Sequence, residues 1–322
     1  MIKRAQLQDR QVLENTSEPR RILFAASTGG HLAQLRKLSE RMNATSDSVW
    51  VTFDSPQSRS LLSGKNVVHV PYVSPRDFKG TALAHRIVSR RLGNDQFDLA
   101  VSTGAALAAA VLPQMRWRGV PTYYIESVSR IQGPSLTGRL MAAGRFAELR
   151  TQHAAWKTDR WIQYPSVLSQ FRSGDRVDQA APRRVFVTLG TIRPYRFDSL
   201  IDGLLREARP DIHWVWQLGE TGRDDLPGDV YDYMSADDFE REYRAADVVV
   251  THAGVGTILS LLQDGIHPVV VPRRKERGEH VDNHQEQITT LVKDLNVGTA
   301  VEADGDLLAA LDRAARLRVI NA

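Results

Sequence analysis

The sequence predicts an α/β protein made of two successive halves. Short β-branched runs alternate with stretches of helical spacing, and this alternation happens twice. Each half opens alike, with a basic residue, a β-branched strand, a glycine-containing turn and a helix. A chain of 322 residues fits two domains of ordinary size.

Composition narrows the class further. Hydrophobic residues make up 42% and charged residues 25%, which suits a soluble globular chain with real cores and excludes a disordered or collagenous one. With no cysteine, disulfides, thiolate catalysis and cysteine metal sites are excluded, and a reducing cytoplasm fits. Forty-two Lys and Arg against 38 Asp and Glu leave a formal charge of +4, which allows anionic partners without demanding them. Met1 to Glu18 is polar, with no secretory apolar run, and reads as a flexible tail. The longest uncharged run, between Asp98 and Arg116, contains Gly104 and Pro113 and falls short of the ~20 apolar residues a spanning helix needs.

The first alternation starts at Arg21. Strands are expected at Ile22–Ala26, Val49–Phe53, Val67–Val70, Leu99–Val101 and Thr122–Ile125, with Leu32, Leu35 and Leu38 on one face of the intervening helix. This gives a first domain over residues 19–165. The segment 166–183 holds Ser173-Gly174-Asp175-Arg176 and Ala180-Ala181-Pro182 with few apolar residues, and reads as a linker. The second domain, 184–322, has strands expected at Val185–Leu189, Ile212–Gln217, Val248–Thr251 and Val269–Val271. Its helices are expected at Phe197–Glu207, Ala236–Ala245, Thr257–Gln263, Val281–Lys293 and Asp306–Leu317, the last free to pack back on the first domain.

Five loops carry candidate chemistry. Ser27-Thr28-Gly29-Gly30-His31 follows the first strand, where glycines let a ligand approach the backbone and a helix start offers amides to an anion. His31 would sit in the first helical turn and could act as a general base near neutral pH, or serve only as a polar cap. Thr188-Leu189-Gly190-Thr191 is a second candidate phosphate loop. Thr251-His252-Ala253-Gly254-Val255-Gly256-Thr257 is a plausible diphosphate cradle, and equally a glycine-rich turn. Pro272-Arg273-Arg274-Lys275 and Gly278 to Gln285 put cations beside Glu279, Asp282, His284 and Gln285, a mixture that suits an anionic, hydroxyl-rich ligand. His280 and His284 are spaced like a metal pair, but Val281 stands where a zinc enzyme has its glutamate, so no metal is expected. Finally, Glu126-Ser127-Val128-Ser129-Arg130 and Ser135-Leu136-Thr137-Gly138 follow a strand end, where Glu126 would orient an acceptor hydroxyl or act as a base. The G-x-G-x-x-G spacing of a dehydrogenase is absent.

Taken together these stretches resemble a known family. The second half is similar to the donor domain of glycosyltransferases with the GT-B fold, two Rossmann-like domains facing a central cleft. The likeness is to the family of the lipid-II-forming and the two-subunit dolichol-linked N-acetylglucosaminyltransferases. It runs through Val187–Thr191, Phe197–Ile201, Thr251–Thr257 and Gly278–Gln285. The first half resembles the membrane-side subunit of the same two-subunit enzymes, and of paired exopolysaccharide glycosyltransferases, through Ser27–Leu32, Ser102-Thr103-Gly104, Ile125–Arg130 and Ser135–Gly138.

The resemblance implies an inverting, metal-independent transferase moving a sugar from a UDP-sugar to a lipid-linked saccharide in surface polysaccharide assembly. It would have no cofactor and no nucleic-acid partner. Its place would be cytoplasmic, peripheral on the membrane, with Phe78–Leu92 as a basic amphipathic anchor. His31 would be the base, with Glu126. Gly190, Thr191, His252, Gly254, Gly256, Thr257, Arg273, Arg274, Glu279, Asp282, His284 and Gln285 would bind the donor. Gly29, Gly30, Ser127, Arg130, Ser135 and Thr137 would bind the acceptor. Arg273 and Arg274 suggest an anionic donor such as UDP-glucuronate. Where the family holds the ribose with a carboxylate, the matching residue here is Ser260. The Asp304-Gly305-Asp306 triplet reads as a helix cap rather than a cation site. The rival readings are a UDP-sugar epimerase on the same architecture and a non-catalytic sugar- or partner-binding scaffold.

Overall fold

The computed structural model describes residue 13 and residues 18–74, 77–176, 181–191, 193–206, 209–280 and 284–321. The expected N-terminal tail lies outside the described residues apart from residues 13 and 18. The chain divides into two compact units, Met1–Val167 and Leu168–Ala322.

In the first unit, seven strands form one parallel sheet: β1 (Ile22–Ala26), β2 (Val49–Phe53), β3 (Asn66–Val70), β4 (Leu99–Gly104), β5 (Thr122–Ile125), β6 (Glu148–Thr151) and β7 (Trp161–Gln163). Their order is β3-β2-β1-β4-β5-β6-β7. Strands β1, β2, β4 and β5 are buried throughout, as expected where helices cover both faces of a parallel sheet. Helices α1 (Gly30–Ser39), α2 (Pro56–Leu61), α3 (Phe78–Leu92), α4 (Ala105–Trp117) and α5 (Leu136–Gly144) connect them. Ala84, Val88 and Leu92 of α3, Leu107 and Val111 of α4 and Met141 of α5 share one core with Leu23, Val51 and Ala100 of the sheet.

The second unit repeats the plan. Strands β9 (Arg184–Thr188), β10 (His213–Gln217), β11 (Asp229–Tyr231), β12 (Val248–His252), β13 (Val269–Val271) and β14 (Thr299–Ala300) lie in the order β11-β10-β9-β12-β13-β14, again all parallel. Their side chains alternate between two cores. Val185, Val187, Trp214, Trp216, Val248 and Val250 meet helices α6 (Asp198–Arg206) and α10 (Leu307–Ala315). Phe186, Val215 and Val249 point the other way, to Tyr243 of α7 (Ala236–Ala245) and Leu261 of α8 (Val255–Gln263). Helix α9 (His284–Asp294) precedes β14.

Both sheets therefore reverse strand order beside their first strand, between β1 and β4 and between β9 and β12. In an open parallel sheet the crevice outside the carboxyl ends at such a reversal is where ligands bind.

The structure departs from the sequence expectations in three places. Residues 171–175, assigned to the linker, form strand β8 (Phe171–Asp175). It pairs antiparallel with β15 (Leu317–Asn321), a strand not expected beyond the last helix, and the unit boundary falls at Val167. Helix α10 stops at Ala315 and packs in the core of the second unit. The short strands β6, β7, β11 and β14 have too few residues or too mixed a polarity to show a period.

Candidate active site

In the first unit the site grows from the β1–β4 reversal. Gly29, with φ of 87°, makes the turn out of β1, and His31 falls in the first turn of α1. Its imidazole is held by Thr103 at the end of β4, with Nδ1 2.8 Å from the Thr103 carbonyl oxygen. A carbonyl cannot donate, so Nδ1 carries the proton and the neutral ring keeps its lone pair on Nε2. Thr103 Oγ1 in turn donates to the His31 carbonyl at 2.8 Å, a reciprocal clamp. Gly104 lets the ring lie close, since a Cβ there would come within 3.1 Å of His31 Cε1 and 3.0 Å of the Tyr124 hydroxyl. Burial pushes the His31 pKa below the ordinary value, as does the charge of Arg130, against the Thr103 hydrogen bond and Glu126, which raise it. His31 is thus neutral at pH 7, with Nε2 making no hydrogen bond among the described residues.

Glu126 takes a different part from the one expected of a base. It is fully buried, and its two oxygens accept hydrogen bonds from the Tyr124 hydroxyl (3.2 Å), the Ser127 amide (3.1 Å), and the amide (2.9 Å) and hydroxyl (3.0 Å) of Ser135. A carboxylate with four donors has no lone pair to spare for an acceptor proton. It fixes the turn instead. Ser135 caps α5 by accepting from the Gly138 amide at 3.0 Å, and Thr137 lies half-buried in the same first turn. Ser127 bonds Ser129 at 2.9 Å, and the Arg130 amide donates to the Ser127 carbonyl at 3.0 Å. Gly30 and Gly29 shape the start of α1, but the Gly29 amide is already taken by Gln57 Oε1 at 2.6 Å.

Sequence reasoning missed the polar frame under this loop. Gln34 Nε2 donates to the Gly30 carbonyl and to Ser127 Oγ, and its Oε1 accepts from the Val128 amide and from Gln152. His153 Nε2 lies 2.6 Å from the Val128 carbonyl, and burial depresses its pKa. Gln34 sits four residues after Gly30 on the apolar side of α1, a polar residue at a core position. Nothing in the sequence marks Gln152 or His153.

In the second unit the β9–β12 reversal brings Gly190, His252 and Gly254 together. A Cβ on Gly190 would lie 2.5 Å from His252 Cε1, and one on Gly254 would overlap Nε2, so the imidazole is wedged between two glycines. Burial, aided by the Arg273 charge, lowers the His252 pKa to about 3, so this ring is neutral as well. Gly256 and Thr257 lie half-buried in the first turn of α8, whose amides face this end of the sheet. Thr191 is exposed.

The cationic segment is arranged against the expectation of an anionic sugar. Arg273 is 1% exposed and spends its guanidinium on backbone carbonyls, with Nη2 on Leu189 (2.7 Å) and Nη1 on Tyr195 (3.2 Å), Arg196 (2.9 Å) and Glu279 (3.0 Å). Arg274 pairs with Glu286 (2.7 Å) and Glu302, so neither arginine is free to grip a sugar carboxylate. Glu279 Oε2 accepts from the Arg274 amide at 3.0 Å, and Gln285 Oε1 from the Arg273 amide at 3.0 Å. Asp282 lies outside the described residues; His284 opens α9, its side chain not described. Ser260 donates to the Gly256 carbonyl at 3.2 Å. Asp306 caps α10 through the Ala309 amide at 2.8 Å, while Asp304 pairs with Arg277 at 3.0 Å. No cluster of three or more His, Asp or Glu that could hold a metal ion exists among the described residues. A further group at the strand ends went unnoticed in the sequence: Arg193 pairs with Glu220 at 3.0 Å and donates to the Tyr233 hydroxyl at 3.2 Å.

Two doubly flanked parallel sheets with glycine-lined turns at each reversal have the architecture of the GT-B fold. Solved structures share it over most of the chain. MurG of Acinetobacter baumannii superposes with a TM-score of 0.55 at 14% identity, covering 91% of this chain and 89% of that one. The glycosyltransferase SnogD of Streptomyces nogalater gives 0.55 at 19% identity, covering 92% and 93%. Residues 185–317 match the glycosyltransferase family 28 C-terminal domain, and the protein is a glycosyltransferase. Over 306 residues the chain is 26% identical to the UDP-N-acetylglucosamine–N-acetylmuramyl-(pentapeptide) pyrophosphoryl-undecaprenol N-acetylglucosamine transferase of Salinibacter ruber, covering 83% of this chain and 80% of that protein.

The buried neutral histidines set the acid stability. His252 is held near a pKa of 3, and burial takes His267, between Ser173 and Thr299, to about 4. Both values lie below the ~6.5 of an unfolded imidazole, so between them the unfolded chain binds more protons. Their contribution is whole above pH 6.5 and declines as the pH falls towards 4 and below. Urea unfolding is therefore expected to give a lower free energy at pH 5 than at pH 7; an equal or higher value at pH 5 would show that these rings are not buried neutral.

Proposed function

We propose that the protein transfers a neutral hexose or N-acetylhexosamine from a UDP-sugar to a saccharide linked to a polyprenyl diphosphate, with inversion and without a metal. The observation that carries this reading is His31, neutral, its Nδ1–H fixed by Thr103 and its Nε2 open. The likeness to the Salinibacter ruber transferase, whose name contains both a UDP-sugar and a pyrophosphoryl-undecaprenol saccharide, supports the substrate classes.

The acceptor hydroxyl is held at Nε2 of His31. As its oxygen attacks the anomeric carbon, the proton passes to Nε2 and the bond from that carbon to the diphosphate oxygen breaks, UDP leaving with the electron pair. Attack from the face opposite the leaving group inverts the configuration. The diphosphate rests on the α8 amides and the Gly190–Thr191 backbone, whose dipoles offset the charge that develops on it. A neutral sugar is favoured because Arg273 and Arg274 are both engaged by protein groups. Gln285 Nε2 and Glu279 Oε1, the atoms of these side chains not used in the amide hydrogen bonds, would take sugar hydroxyls.

His31→Ala should lower turnover by about 10²-fold or more while UDP binding, followed by calorimetry, is unchanged. Wild-type turnover should persist in EDTA. A variant retaining full rate, wild-type activity abolished by EDTA, or epimerisation of UDP-sugar without acceptor would each contradict the reading.

The same reading places the first unit on a membrane surface. No helix among the described residues is long and apolar enough to cross a bilayer. Helices α3 and α5, which flank α4, instead present Phe78 (83% exposed), Leu83, Leu136 (70%) and Leu140 to solvent. Lys79, Arg86, Arg90 and Arg91 lie on α3 beside them. Apolar groups ringed by cations suit the headgroup boundary of an anionic bilayer. Wild type should co-sediment with vesicles containing anionic lipid and be released by Phe78→Ser combined with Leu136→Ser. Binding to neither neutral nor anionic vesicles would remove the membrane assignment, and equal binding to both would remove the role given to the cations.

A further inference from the structure

Arg273 is an unusual residue to find with its side chain almost completely buried. Its guanidinium forms no salt bridge among the described residues. Its charge is compensated by four carbonyl dipoles and by the face of Phe197, 4.7 Å from the guanidinium carbon. Those carbonyls come from separate stretches of chain: Leu189 at the turn that carries Gly190 and Thr191, Tyr195 and Arg196 ahead of α6, and Glu279 ahead of α9. On the main-chain side, the Arg273 amide is held by Gln285. One residue at the end of β13 thus ties the phosphate turn after β9 to the segment that carries Glu279 and Gln285.

We infer that Arg273 is a positioning residue, which sets the donor site by fixing the backbone of the Leu189–Thr191 turn against that of Glu279 and Gln285, without itself touching the donor. Its consequence for catalysis rests on the donor assignment above; its structural part rests on the hydrogen bonds alone. The planar fork explains why arginine stands here. A guanidinium directs its N–H groups outward in a fixed plane and reaches carbonyls on several sides at once, whereas a lysine ammonium is a single point that cannot span them. Leaving such carbonyls buried without a donor costs more than the bond itself contributes, so the loops would move to find water. The positive charge also lies beneath the turn that receives the diphosphate, which makes charge and geometry separable by substitution. Arg273→Lys keeps the charge and loses the fork; Arg273→Met loses both.

The test follows amide hydrogen exchange in the full chain, comparing wild type, Arg273→Lys and Arg273→Met. Peptides containing Leu189–Thr191, Tyr195–Phe197 and Glu279–His280 should exchange roughly 10-fold faster or more in the lysine variant, with strands β9 and β12 unchanged. Should the methionine variant not fold, the lysine variant decides alone. In the same variant UDP affinity, measured by calorimetry, should fall roughly 10- to 100-fold. The donor KM should rise in step while the acceptor KM stays constant, and the loss should be equal for neutral and carboxylate-bearing UDP-sugars. Unchanged exchange in all three peptides would overturn the inference. So would a loss confined to UDP-sugars bearing a carboxylate, which would make Arg273 a sugar ligand. Wild type that binds no UDP or UDP-sugar would sink the donor assignment instead, and the exchange result would still decide the positioning role.

Discussion

The packing of an imidazole against a glycine α-carbon at the reversal of a parallel sheet is the contact on which both halves of this protein depend. In the first unit His31 lies on Gly104; in the second His252 is wedged between Gly190 and Gly254. The reason is topological. At a reversal, two turns that leave neighbouring strands in opposite directions open a crevice, and the backbone of each must pass close to the other. Any Cβ at these glycines would push the ring out. The enclosure that admits the ring also strips it of water, and a desolvated imidazole stays neutral.

Neutrality has different consequences on the two sides. At His31 the proton is assigned by geometry, because a carbonyl faces Nδ1, and the free lone pair on Nε2 is what a base requires. Tyr124, Ser135, Glu126 and Gln34 make no claim on that nitrogen; they hold the 126–130 loop and the start of α5 in place around it. At His252 the ring serves as a spacer between the glycine turns that follow β9 and β12. The cations that the composition places nearby are then left to structural work, Arg273 among carbonyls and Arg274 among carboxylates.

Much of this was legible in the residues. The apolar β-branched runs gave nine strands their places because both faces of these sheets are buried, so the pattern is continuous and strong. The turns Ser27–His31, Gly190–Thr191 and Thr251–Thr257 stood out because glycine is conspicuous wherever the backbone must be approached closely. What escaped notice obeys different physics. Strands β6, β7 and β14 owe their pairing to neighbours rather than to their own composition. The pair β8 and β15 joins segments more than a hundred residues apart, which no local pattern can reveal. Arginine types do not announce their partners either: Arg273 and Arg274 looked like anion ligands because composition shows the charge and not the carbonyls and carboxylates that already hold it. Glu126 misled in the same way, since a carboxylate at a strand end reads as a base until its four donors are seen.

The state of His31 is the central claim, and it can be observed directly. Nitrogen-15 spectra of histidine-labelled protein, assigned through His31→Gln, report both tautomer and titration. The account predicts that at pH 7 His31 is neutral with its proton on Nδ1, and that its titration midpoint lies below the ~6.5 of a free imidazole. A midpoint at or above that value, or a proton found on Nε2, would contradict it.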